Sequence, residues 1–149
     1  MKNADVLRDF GGRIGLPNLQ FSSDGAVGVV VGDNLEIRIE GDADGESLDL
    51  IGVIGPLPSN SNRFLIALLT ANHSGVATDG GAVAIDPRTT ALTYCKRIDT
   101  SAATGDSFLC DMQQFVKYLA FWVNYVPGIA TAYSGERRAE PFTESTMRI

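Results

Sequence analysis

The residues able to do chemistry are few and far apart. His73 is the single histidine of the 149 residues, and Cys95 and Cys110 are the only cysteines. A nucleophilic site of the Ser-His-Asp or Cys-His kind would have to use His73. That residue falls in Ala71-Asn72-His73-Ser74-Gly75, just past a predicted helix, where a histidine favours the helix dipole and covers terminal carbonyls. One histidine and two separated cysteines make no metal-ligand cluster. Each cysteine sits in a predicted regular element among apolar neighbours, the setting of a buried thiol that packs as a small hydrophobe. Cys95 precedes Lys96 and Arg97, but adjacent residues on a strand point to opposite faces.

Asp42-Ala43-Asp44-Gly45-Glu46 has the start of a calcium loop without its length or its closing Glu, and reads as a hairpin turn. Gly25-Ala26-Val27-Gly28 leads into a strand, so it lacks the helix N-terminus that holds a pyrophosphate. There is no P-loop and no G-x-S-x-G elbow. The carboxylates crowd the hairpins, where nothing suggests a desolvated cleft. The expectation is a non-enzymatic protein with no catalytic residues, no metal and no cofactor.

The elements that would position any site follow from periodicity. Val6, Leu7, Phe10 and Ile14 share one side of a helix from about Asn3, its expected N-cap, to Ile14. Gly11-Gly12 weakens this helix by about 1 kcal/mol per Gly, and Gly15-Leu16-Pro17 ends it. Three strands follow, separated by Gly32-Asp33-Asn34 and by the turn at Asp42. In the second, Leu35, Ile37 and Ile39 alternate with Glu36, Arg38 and Glu40, one face apolar and one wet. The third runs from Ser47 to Val53.

After Gly55-Pro56-Leu57-Pro58, Ser59 or Ser61 caps a helix to about Asn72 that is apolar almost all round. A helix of that kind is buried on more than one side, and in so small a domain the second side suggests a subunit interface. Strands Ala82 to Ile85 and Ala91 to Ile98 come next. The longest helix runs from Gly105 to about Tyr125 on a stripe of Phe108, Met112, Phe115, Leu119 and Trp122. Tyr118, Phe121 and Tyr125 form a second stripe, either further core or an interface. After Pro127 the pattern dissolves. The expected organisation is one domain over 1–126 and a C-terminal tail over 127–149, mobile in part.

Bulk composition narrows the partners. Hydrophobic residues make up 44% and charged residues 20%, ordinary for one globular domain. No apolar run reaches the roughly 20 residues of a membrane helix, and Met1-Lys2-Asn3-Ala4-Asp5 lacks the apolar core of a secretory signal. The expected location is the cytoplasm, with no membrane partner. A net charge of −6 disfavours nucleic acid. The run Asp33, Glu36, Glu40, Asp42, Asp44, Glu46 and Asp49 is either a solvated face with turns or a rim that steers a basic partner.

The order helix, three strands, helix, two strands, long helix, with the acidic charge and small size, resembles the class I type III secretion chaperones, the Tir chaperone family. Phe10-Gly11-Gly12-Arg13-Ile14-Gly15-Leu16-Pro17-Asn18-Leu19 resembles that family's opening helix and its Gly-Leu-Pro exit. Ile85-Asp86-Pro87 resembles its Leu-Asp-Pro hairpin, and the long helix ending near Phe121-Trp122 stands where the family has its last. The resemblance covers roughly residues 4 to 126. It implies an α+β fold: a five-stranded antiparallel sheet with three helices, order α-β-β-β-α-β-β-α, in a homodimer. It implies a protein of the bacterial cytoplasm that binds the N-terminal segment of a secreted effector in extended form and keeps it soluble and secretion-competent.

Carried over residue by residue, Phe10, Ile14, Leu16, Leu19, Val29, Leu35 and Ile37 are candidate client contacts. Leu65, Leu68 and Leu69 are candidate dimer contacts. Core packing explains each of them as well. The closing Met147-Arg148-Ile149 resembles members that regulate secretion genes by exchanging partners. The alternative is therefore a regulator of type III secretion gene expression that sequesters an anti-activator protein. A third class, a small-ligand domain, would need a polar pocket around His73 or the carboxylates.

Overall fold

Helix α1, Asn3–Arg13, opens the chain. Val6, Leu7 and Phe10 recur at helical spacing and are all buried. Asn3 is not the cap that the sequence suggests. Lys2 holds that position without a side-chain bond. Asn3 is buried and donates from Nδ2 to the Ser47 carbonyl at 2.7 Å. It also accepts a hydrogen bond from the Thr100 hydroxyl. A short amide thereby ties the helix start to two later segments of the chain, a stronger use of its polar atoms than a solvent-facing cap.

The exit from α1 folds back on the helix. The N–H of Leu16 donates to the Gly11 carbonyl at 2.7 Å. A Cβ at position 11 would stand 2.5 Å from the Leu16 carbonyl oxygen and 2.7 Å from Leu19 Cβ. Glycine is required there, and the close approach delivers Leu19 to the core.

The computed structural model describes residues 2–42, 44–58, 62–133 and 147–148, with side chains described as far as Pro127. Strands β1 (Ala26–Val31), β2 (Leu35–Gly41) and β3 (Ser47–Pro56) form an antiparallel meander. Helix α2 spans Asn62–Asn72, and a short 3₁₀ turn at His73–Gly75 follows. Its candidate caps, Ser59 and Ser61, lie outside the described residues. Strands β4 (Ala82–Ile85) and β5 (Ala91–Asp99) pair with each other, and β5 pairs with β3. These five strands are all antiparallel neighbours, in the expected element order. Helix α3, Gly105–Tyr133, closes the layer.

The core lies between the sheet and the helices. Ile37, Ile39, Leu48, Leu50, Leu92 and Tyr94 meet Phe108, Met112, Phe115, Leu119 and Trp122 of α3. Gly52 is the point of closest approach, since a Cβ there would fall 2.6 Å from the side chain of Leu119. Tyr94 stacks on Phe115 with ring centroids 4.7 Å apart, and its hydroxyl donates to the Thr78 carbonyl at 2.8 Å.

Three further features differ from expectation. Helix α3 does not stop near Tyr125 but runs through Pro127 to Tyr133; of the expected tail, residues 134–146 and 149 lie outside the described residues. Proline disfavours a helix interior through its missing N–H and its clash with the preceding turn, but an established helix tolerates one. Cys110 is exposed, not buried: the α3 stripe of Phe108, Met112 and Phe115 leaves position 110 on the opposite side. A sixth strand, β6 (Met147–Arg148), joins the outer edge of β1 in parallel, with Val29 opposite Met147 and Val30 opposite Arg148. The full order is β4-β5-β3-β2-β1-β6.

The two sides of the sheet end differently. At the β4 side, the Asn72 side chain accepts from the Val83 N–H at 2.8 Å and donates to the Val83 carbonyl at 2.9 Å. One amide occupies both backbone groups that Val83 would offer to a neighbouring strand. At the β1 side, backbone meets backbone through β6.

Candidate functional site

Among the described residues, no three His, Cys, Asp or Glu side chains group closely enough to hold a metal ion. His73 is exposed in the turn after α2. Burial pushes the Cys95 thiol up, partly opposed by its contact with the Thr93 hydroxyl. A thiol so shifted is a poorer nucleophile.

Three carboxylates of the acidic run are engaged locally. Asp49 accepts from Nε and Nη2 of Arg97, each at 2.8 Å. Glu40 pairs with Arg38 and Arg88. The Asp42 carboxylate gathers the Ser47 hydroxyl and the backbone N–H groups of Gly45, Glu46 and Ser47. The Ser47 hydroxyl is the largest cause holding that carboxyl below its ordinary range. The apparent calcium loop is thus an Asp-capped turn.

The distinctive surface is apolar and has two parts. On α2, Phe64 and Leu68 point inward while Leu65 and Leu69 point out, 39% and 69% exposed. Ile66, Ile85 and Val76 are exposed as well, as are Phe121 and Tyr125 of α3. The last two rings stack at 5.2 Å. Of the candidate dimer contacts, the structure leaves Leu65 and Leu69 reachable and buries Leu68. Ile66, Phe121 and Tyr125 join them, and the stripe spacing of the two aromatics is the signal that points to them.

The second part surrounds the α1 exit and the β1–β2 side of the sheet. Phe10, Leu19, Val29 and Ile37 are each 2% exposed or less. They form the floor and touch one another's core neighbours. Ile14, Leu16 and Leu35 are half-buried, packed against that core while keeping an accessible side. The β1 edge with β6 completes the region. No residue pattern within β1 signals β6, because strand pairing across the whole chain leaves no local trace.

The model of the Tir chaperone protein (CesT) family matches residues 5–123, four-fifths of the chain, across all three helices and the five-stranded sheet. The chain belongs to that family. No curated protein matches it in sequence. Solved structures carry the likeness further. A chain of the ExsC–ExsE complex superposes with a TM-score of 0.70 at 20% identity, covering 81% of this chain and 90% of that one. A chain of the HopA1–SchA chaperone–effector complex gives 0.67 at 17%, covering 80% and 91%. The type III secretion chaperone SycH of Yersinia pestis, in complex with a YscM2 fragment, gives 0.55 at 15%, covering 89% and 99%. At these identities the likeness is one of fold. Among the described residues of this Tir chaperone family member, no helix is long and apolar enough to cross a membrane.

Proposed function

We propose that the chain is a type III secretion chaperone of the bacterial cytoplasm. As a homodimer it binds the N-terminal segment of a secreted effector in extended form and keeps it soluble and secretion-competent, with no cofactor. The observation that carries this reading is the family match over residues 5–123. Support comes from similar folds solved with a protein partner, HopA1 with SchA and ExsC with ExsE.

The two apolar surfaces divide the work. Exposed apolar patches of this kind seek protein cover. Leu65 and Leu69, with Ile66, form the contact between two copies. An extended client crosses Ile14, Leu16 and Leu35, with Phe10, Leu19, Val29 and Ile37 holding that surface from beneath. Extended segments bind by backbone pairing and by alternate side chains entering pockets, and the neighbouring β1 edge supplies the pairing.

One observation favours the second reading, a regulator that sequesters an anti-activator by partner exchange. Asn72 occupies Val83 on the β4 edge. The β1 side is then the more open edge, and two protein partners that both add a strand there would exclude each other.

The test is affinity purification of the tagged chain from its own bacterium, with partners identified and masses taken by light scattering. Two copies holding a secreted protein, with that protein's N-terminal segment protected from protease, is the expected result. An anti-activator in the same place moves the conclusion to the regulator. A monomer with no protein partner overturns both.

A further inference from the structure

We propose that the chain's own C-terminal strand, β6, is a built-in occupant of the β1 edge, which a client strand displaces. The inference rests on the reading of β1 as the edge that receives the client.

Three observations carry it. First, β1 is Ala-Val-Gly-Val-Val-Val over Ala26–Val31, a strand with no charge and no proline. Natural edge strands are guarded by lysine, proline, bulges or a cover, and β1 has none of the first three. A bare edge of this composition invites pairing with any extended chain.

Second, the opposite edge is guarded by a different device. Asn72 bonds both backbone groups of Val83. That edge is interrupted at its second residue, while the β1 edge carries Met147–Arg148.

Third, among the described residues the occupant leaves most of the edge unpaired. It pairs with two of the six residues of β1, Val29 and Val30. A client strand spanning the length of β1 would make more ladder bonds along the same edge. Such a cover protects the resting protein and yields to a longer competitor. A ligand already present in the chain lowers the apparent affinity of any rival by the fraction of time it is bound.

The test uses the full chain, wild type and with Met147→Pro and Arg148→Pro together. Proline lacks the N–H that a ladder needs and is excluded from paired strands. Hydrogen exchange is measured across residues 26–31. The expected result is exchange at least tenfold faster in the variant within β1, with β3 unchanged. A labelled peptide of residues 141–149 should then bind the variant at least tenfold more tightly than wild type, by fluorescence anisotropy.

Equal exchange in β1 and equal peptide binding would overturn the proposal. Protection of β1 that fades when wild-type protein is diluted would overturn it too, because the strand would then come from a second copy. Neither readout needs a client. A chain that captured no secreted protein would defeat the chaperone reading and leave these measurements standing. Unchanged exchange would defeat the built-in occupant and leave effector capture standing.

Discussion

Gly11 and Gly12 are adjacent in the chain and opposite in consequence. At position 11 a Cβ collides with the Leu16 carbonyl and Leu19, while at position 12 it meets nothing within 4 Å. Gly12→Ala should stabilise α1 by up to about 1 kcal/mol through helix propensity. Gly11→Ala should lose about 1–3 kcal/mol to overpacking despite the same gain in propensity. Urea unfolding of the two variants should move the midpoint in opposite directions; a shared direction would mean that the Gly-Leu-Pro exit does not hold its close approach. Asp111 offers a test by pH. Burial raises its carboxyl, Lys96 opposes the shift and Asp79 adds to it. The folded state then holds the proton more tightly than the unfolded chain. Its contribution is present at low pH and is lost as pH rises through the folded value. Asp111→Asn should raise the melting temperature at pH 7 and leave it unchanged below the carboxylate range; the same shift at both pH values would refute the assignment. Asp42 has the opposite sign, since its Ser47 hydrogen bond depresses the carboxyl. Its contribution is lost on acidification.

At the scale of the elements, what could be read in advance was what repeats locally. Apolar residues at helical spacing place α1, and clean alternation from Leu35 to Glu40 places β2 with its wet face outward. The end of α3 was hidden because a proline argues against helix only on average. The role of Asn3 was hidden because its partners lie far along the chain, at Ser47 and Thr100. Asn72 shows the same limit: at a helix end it reads as a stop signal, and only the packed sheet shows that it closes β4. Asn72→Ala should speed exchange of the Val83 amide by tenfold or more. Its cost in global stability should be about 1 kcal/mol, the net worth of a typical hydrogen bond. Unchanged protection at Val83 would show that the edge is closed by something else.

For the whole molecule, the sequence identified the apolar faces but could not say which of them the folded chain leaves open. Periodicity marks Phe10 and Leu69 alike as apolar helix residues, but the first is sealed beneath α3 and the second faces outward. The difference is visible in what each substitution should do. Phe10→Asp should unfold the chain, with a loss of at least about 3–5 kcal/mol, seen by circular dichroism. Leu69→Asp should stay folded and scatter light as a single chain; a persistent dimer would remove α2 from the contact. Leu35→Asp should keep the fold and lose the client, and an unfolded product would make Leu35 part of the core.

The side-chain amide of Asn72 sets a limit on growth. Sheet proteins become fibrils when each copy offers an acceptor at one end and a donor at the other, so that addition never terminates. Here the donor end is stoppered by a residue of the same chain. A chain that adds one strand at β1, as proposed, would then be hindered from seeding a polymer of itself.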